Sequence, residues 1–143
     1  MQSNIKDSAV KQSGVRASRE QAFAIVFEKS FTDSAIDEII EGAAMARDIV
    51  VSDMARDYAT EIFENVDKID ENIEKHLVAR SKSRLSKVVL AVLRIAVYEI
   101  IFSKVDAPSA INEAVELTKT YASEAEAGFV NGVLGSLVRA GAN

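Results

Sequence analysis

Cysteine is absent from this chain of 143 residues, which excludes a disulfide framework, a thiolate nucleophile and any cysteine-based zinc site. Histidine occurs once, at 76, so no second histidine exists to share a metal. Position 73 is isoleucine, and the Glu-x-x-His pattern of di-iron helical bundles is therefore missing too. His76 reads as an exposed residue near the end of a charged helix, and no metal is expected. The glycines spell neither G-x-G-x-x-G nor a Walker A loop, which leaves nucleotide phosphates without a backbone cradle. No apolar run approaches the ~18 residues that mark a membrane span, and the polar first 20 positions lack the apolar centre of a signal peptide. Pairs such as Glu113 and Glu116, or Glu71 and Glu74, have no apolar pocket or metal to perturb them and read as solvated helix faces. These absences predict a soluble, cytoplasmic protein without cofactors, one that binds and does not catalyse.

What is present is enough apolar material for one sizeable core, since 48% of residues are of hydrophobic type. Only Pro108 interrupts the chain strongly, and apolar residues recur with a period near 3.6 almost throughout, so an all-α fold is expected. Residues 1–17 are polar, include Gly14, and read as a flexible N-terminal arm before a single domain at 18–143. Ser18 with Gln21 forms a capping box ahead of a first helix whose face holds Phe23, Val26, Phe27 and Phe31. Ser34 and Asp37 open a second helix with a stripe of Ile36, Ile39, Ile40 and Ala43. Ser52 precedes a longer one that aligns Met54, Tyr58, Ile62, Val66, Ile69 and Ile73 on one side. After a polar turn near 79–83, Ser86 caps a helix that is apolar on nearly every side, VVLAVLRIAVYEIIF (88–102), as a helix surrounded by others would be. Pro108 and Ser109 lead into the next, with Ile111, Ala114, Val115, Thr118 and Tyr121. Ser123 with Glu126 makes a second capping box before the last helix. Six helices are expected, with no internal repeat.

Charge is unevenly distributed. The net value is -5, yet residues 1–30 hold five basic groups against three acidic, and residues 33–74 hold three basic against thirteen acidic. From Lys75 to Arg94 come six basic residues and no acid. A polyanion would be repelled by one stretch and attracted by another, which suits a directional binding site better than general nucleic-acid affinity.

Three glycines, Gly128, Gly132 and Gly135, fall inside the last helical pattern. At 100° per residue they lie within about 60° of each other, opposite Phe129, Val133 and Leu137. Each costs about 1 kcal/mol relative to alanine in a helix. Close packing of a neighbouring backbone, foremost at Gly132, or close approach of a ligand is the expected compensation.

The segments AVLRIAVYEI (91–100), INEAVELTK (111–119) and FVNGVL (129–134) resemble, in order and spacing, the C-terminal half of the NusB family of bacterial transcription antitermination factors. REQA (19–22) with the helix that follows resembles that family's opening. The resemblance implies an all-α bundle of about six or more helices in two sub-bundles. It also implies an adaptor that binds single-stranded boxA-type RNA of ribosomal RNA leader transcripts, together with the ribosomal protein NusE, in the RNA polymerase antitermination complex. Carried over by position, Arg16 and Arg19 stand for the family's arginine-rich arm, assisted by Lys11, and Tyr121 and Phe129 match aromatic positions beside the RNA. The arm is depleted in arginine, with Val15 and Ala17 between its cations. Gly128 and Gly135 stand where Lys and Asp are frequent. The partner-contacting surface falls near Ser86, Val89 and Leu90, whose apolar character also suggests an exposed face for a homodimer. Two other readings remain: a NusB-like accessory domain of a ribosomal RNA methyltransferase, for which no catalytic cysteine is present, and a purely structural helical homo-oligomer.

Overall fold

A computed structural model describes the backbone of residues 2–47 and 49–141 and the side chains of 14–46 and 49–141. Among the described residues the regular elements are seven α-helices and one 3-10 turn: α1 (Gln2–Lys29), α2 (Ile36–Arg47), α3 (Asp53–Glu64), α4 (Val66–Lys75), the turn Lys82–Arg84, α5 (Lys87–Ile101), α6 (Ala107–Tyr121) and α7 (Glu124–Arg139). They fall into two compact units, Met1–Thr60 and Glu61–Asn143, as the two expected sub-bundles require, with the division inside α3. No helix among the described residues is long and apolar enough to cross a membrane.

In the first unit α1 does not begin at Ser18. The helix already runs from Gln2, and Ser18 lies in its interior. Nothing between 2 and 17 stops a helix except the mild penalty of Gly14, so the capping signal is never used. Ala22, Phe23, Ile25 and Val26 are buried, whereas Phe31, expected on the same face, lies beyond the helix end and is 63% exposed. Its ring meets Phe27 edge-on at 5.0 Å. Ser52 caps α3 by accepting from Ala55 N at 3.1 Å, and Gln21 fixes the approach to it by accepting from Ser52 N at 2.9 Å.

The single long helix expected over residues 53–73 is two helices. Asn65 leaves helical geometry (φ -119°, ψ 20°), and its side-chain amide donates to the Glu61 carbonyl at 2.9 Å, offering the backbone a local alternative to the helical ladder. The apolar stripe nonetheless continues, since Ile62, Ile69 and Ile73 are all fully buried.

In the second unit α5 is the core element: Val89–Leu93 and Ile95–Ile100 are buried, and α4, α6 and α7 pack against it. Ser86 caps it through Val89 N, as the sequence predicts. Helix α6 begins before Pro108, which sits in its first turn where a missing N–H costs nothing; Asp106 is the cap, accepting from Ser109 N at 3.0 Å. Those hydrogen bonds from Ser109 hold the Asp106 carboxyl below its ordinary pKa. Ser123 caps α7 through Glu126 N at 3.1 Å.

Candidate nucleic-acid interface

The cations assigned to the N-terminal segment have different fates. Arg16 is exposed on α1, whereas Arg19 is 7% exposed and already engaged within the protein, so its carry-over as an RNA-facing cation is corrected to a structural role. Arg19 precedes Ala22, Phe23 and Val26 by three, four and seven positions and so lies on the face those residues bury, whereas Arg16 is about 60° around the helix from it. The side chain of Lys11 lies outside the described residues.

The aromatic pair lies on α6 and α7, consecutive helices of the second unit joined through Ala122 and Ser123. Tyr121, the last residue of α6, is 47% exposed. Phe129, in the second turn of α7, is half-buried, neither core nor fully open. The Arg80 guanidinium carbon lies over its ring, 4.0 Å from the centroid. Both Glu126 carboxylate oxygens accept from Arg80 Nη1, at 3.0 and 3.2 Å. Arg80 follows Ala79, whose φ of 63° lies in the left-handed region that residues with a Cβ rarely occupy.

In the sequence Arg80 is distinguished only as one member of a basic run. That run is not one solvated face. Arg94 donates to Asp70 from Nε at 2.9 Å and from Nη2 at 2.8 Å, and Lys82 reaches the same carboxylate at 3.2 Å, with Asp70 and Arg94 side chains only 8% and 11% exposed. Arg94 thus ties α5 to α4, and Lys82 ties the 3-10 turn to it. Arg84 and Lys87 are exposed. His76 is half-buried, not exposed as expected: its Nδ1 is 3.0 Å from the Ser136 hydroxyl of α7.

The glycine stripe does not pack against a neighbour. A Cβ at Gly128 or Gly132 would meet nothing within 4 Å, and both residues are exposed. At Gly135 it would meet Arg139 Nη1 at 3.1 Å, the far end of a flexible side chain. Backbone contact at Gly132, the expected compensation, is thus absent, because the glycine face of α7 is the one turned away from Val130, Val133, Leu134 and Leu137 in the core. Gly128 instead borders a groove between α6 and α7 with Ile111, Asn112, Val115, Ala127 and Asn131. The asparagines of INEA and FVNG therefore line one groove. Their approach across two helices is invisible in the separate motifs.

The surface assigned to a partner is also corrected. Val89 is fully buried and Leu90 is 8% exposed, so no exposed apolar face exists there; α5 is apolar at its start because that start is core. Ser86 is exposed, and its hydroxyl is used as the cap.

Comparison with known proteins gives a consistent result. The model of the NusB family matches residues 16–139. The chain is 37% identical over 131 residues to the transcription antitermination protein NusB of Clostridium novyi, covering 87% of this chain and 98% of that protein. It is 40% identical over 129 residues to the NusB of Clostridium acetobutylicum, covering 86% and 93%. Among solved structures it superposes on T. maritima NusB with TM-score 0.79 at 33% identity, covering 90% and 92%. A crystal structure of antitermination factors NusB and NusE in complex with dsRNA matches with TM-score 0.78 at 30% identity, covering 87% and 96%.

Proposed function

This chain belongs to the NusB family, and we propose that it acts as a transcription antitermination factor that binds boxA-type RNA of ribosomal RNA leader transcripts together with the ribosomal protein NusE. It works by binding alone, as a cytoplasmic adaptor in the RNA polymerase antitermination complex. The observation that carries this reading is the match along nearly the whole length of curated NusB proteins, joined to a fold shared with a NusB bound to NusE and RNA. The residues we assign to RNA are Arg16 on α1 and Tyr121 and Phe129 in the second unit, with Lys11 on the helical segment before them. Exposed cations and aromatic faces are the groups that hold unpaired nucleotides. Neither the methyltransferase-domain reading nor the structural homo-oligomer reading draws support from these relatives, and the face at Val89 and Leu90 that would have served self-association is buried.

Titration of labelled boxA-type RNA with this protein, with and without NusE, tests the proposal. Binding at modest salt is expected to be tighter than to a scrambled RNA of the same length and tighter again with NusE. Equal affinity for the scrambled RNA under both conditions rejects it.

A further inference from the structure

Arg80 combines three features that a routine surface ion pair lacks. Its guanidinium carbon is 4.0 Å from the Phe129 ring centroid, within stacking range. The Glu126 carboxylate, one turn before Phe129 on α7, holds it through Nη1 alone, so one of three guanidinium nitrogens fixes the position of the group. It is also presented by a backbone in which Ala79 is held at φ 63°. Immobilising a long side chain opposes such an arrangement on an exposed surface, and isolated exposed pairs rarely repay that cost. Even so, 38% of the Arg80 side chain remains accessible.

We propose that Arg80, laid over Phe129, is a stacking platform for an unpaired nucleobase of the RNA, with Glu126 as the positioning residue that sets its place. The inference rests on the RNA-binding reading above. A guanidinium is flat, weakly hydrated and permanently charged, so it stacks on an aromatic ring and can take a base on its other face while attracting the adjoining phosphates. The neighbourhood suits that polyanion: no acid occurs in the chain between Lys75 and Arg94, and Arg84 and Lys87 are exposed. Glu126 is the one carboxylate at the platform that the ion pair brings in, and its charge is matched by the cation it holds.

The test is binding of labelled boxA-type RNA by the full chain in the presence of NusE, over a range of salt, with 2-aminopurine placed at each adenine in turn to report stacking. The wild-type protein is expected to quench 2-aminopurine at one position or more. Arg80→Lys keeps the charge and loses the plane; affinity should fall about fivefold to tenfold, the salt slope should stay the same, and quenching at one position should disappear. Glu126→Ala separates positioning from bulk charge. Removing an anion near RNA should tighten binding by electrostatics alone, whereas loss of positioning should weaken it about threefold. Glu126→Gln, which keeps an acceptor for Arg80, should restore part of the difference. Circular dichroism and urea midpoints identify variants that remain folded, and the conservative Arg80→Lys and Glu126→Gln keep the test available if Glu126→Ala does not. Wild-type affinity and quenching in Arg80→Lys, or tighter binding in Glu126→Ala, overturns the platform while leaving the family function standing. A wild-type protein that does not prefer boxA-type RNA to a scrambled sequence overturns both.

Discussion

Gly132 is helical, exposed and surrounded by open space, so its lack of a side chain serves no packing purpose. Gly132→Ala is expected to stabilise the protein by about 0.5–1 kcal/mol, because alanine restricts the unfolded chain and fits the helix. A raised urea midpoint checks this, and an unchanged or lowered one refutes it. Asp70 is the opposite case: it is 8% exposed and accepts from both Arg94 and Lys82. Asp70→Asn keeps the shape and removes the charge, leaving a mostly buried guanidinium without its anion. A loss of about 3 kcal/mol in denaturant unfolding is expected; a change below about 1 kcal/mol would show that water or other groups compensate. Neither environment is legible in the sequence. A glycine code states a possibility of close approach, and a basic run states charge. Whether the first finds a neighbour or the second finds Asp70 depends on residues brought together by folding.

The helices show which signals act locally. Ser86 and Ser123 cap their helices as the sequence predicts, and Ser52, placed before a helix, caps it too, since a side-chain oxygen accepting a backbone N–H three residues on needs only local geometry. Ser18 carries the same signal and is overridden, because residues 2–17 continue the helix past it. Asn65 breaks a stripe whose apolar period is uninterrupted. Asp106, whose signal in the sequence is masked by Pro108 two residues on, caps α6, and its carboxyl is held below the ordinary aspartate range by Ser109. A folded-state pKa below the unfolded one gives stability that is complete above the unfolded value and is lost as pH falls through the folded one. Asp106→Asn should therefore reduce stability at neutral pH and flatten its decline between neutral pH and about 3. Urea midpoints measured across that range decide it: a variant and wild type declining in parallel would deny Asp106 any part in the acid response.

At the level of the whole chain, an overall charge of -5 coexists with a proposed RNA-binding role because the acids are concentrated in residues 33–74, whereas the stretch from Lys75 to Arg94 holds six cations and no acid. Arg16 and Arg19 separate the two uses of a cation. Arg16→Ala is expected to weaken boxA-type RNA binding about twofold to threefold and to lower the logarithmic salt slope by about 0.7, one phosphate's share for a single strand. Arg19→Ala should instead lower the denaturation midpoint and leave that slope unchanged in the folded protein, because its side chain is inside. Should Arg19→Ala shift the salt slope and Arg16→Ala leave it untouched, the assignment of these residues is reversed. The motif resemblance did reach the family and the two helical units, since AVLRIAVYEI, INEAVELTK and FVNGVL hold the core helices of the second unit in fixed order.

What the sequence determined by itself was the helical class, most of the capped starts, and the exclusion of thiol, di-histidine metal and P-loop chemistry, all of which depend on residue identity and spacing over a turn or two. Only the tertiary structure decided that Arg19, Val89 and Leu90 face inward, that the asparagines of two motifs share a groove, and that Arg80 covers Phe129. The same Arg80 reaches Glu126, 46 positions along the chain. No local periodicity encodes such a meeting, because it depends on how two helices settle against a common core.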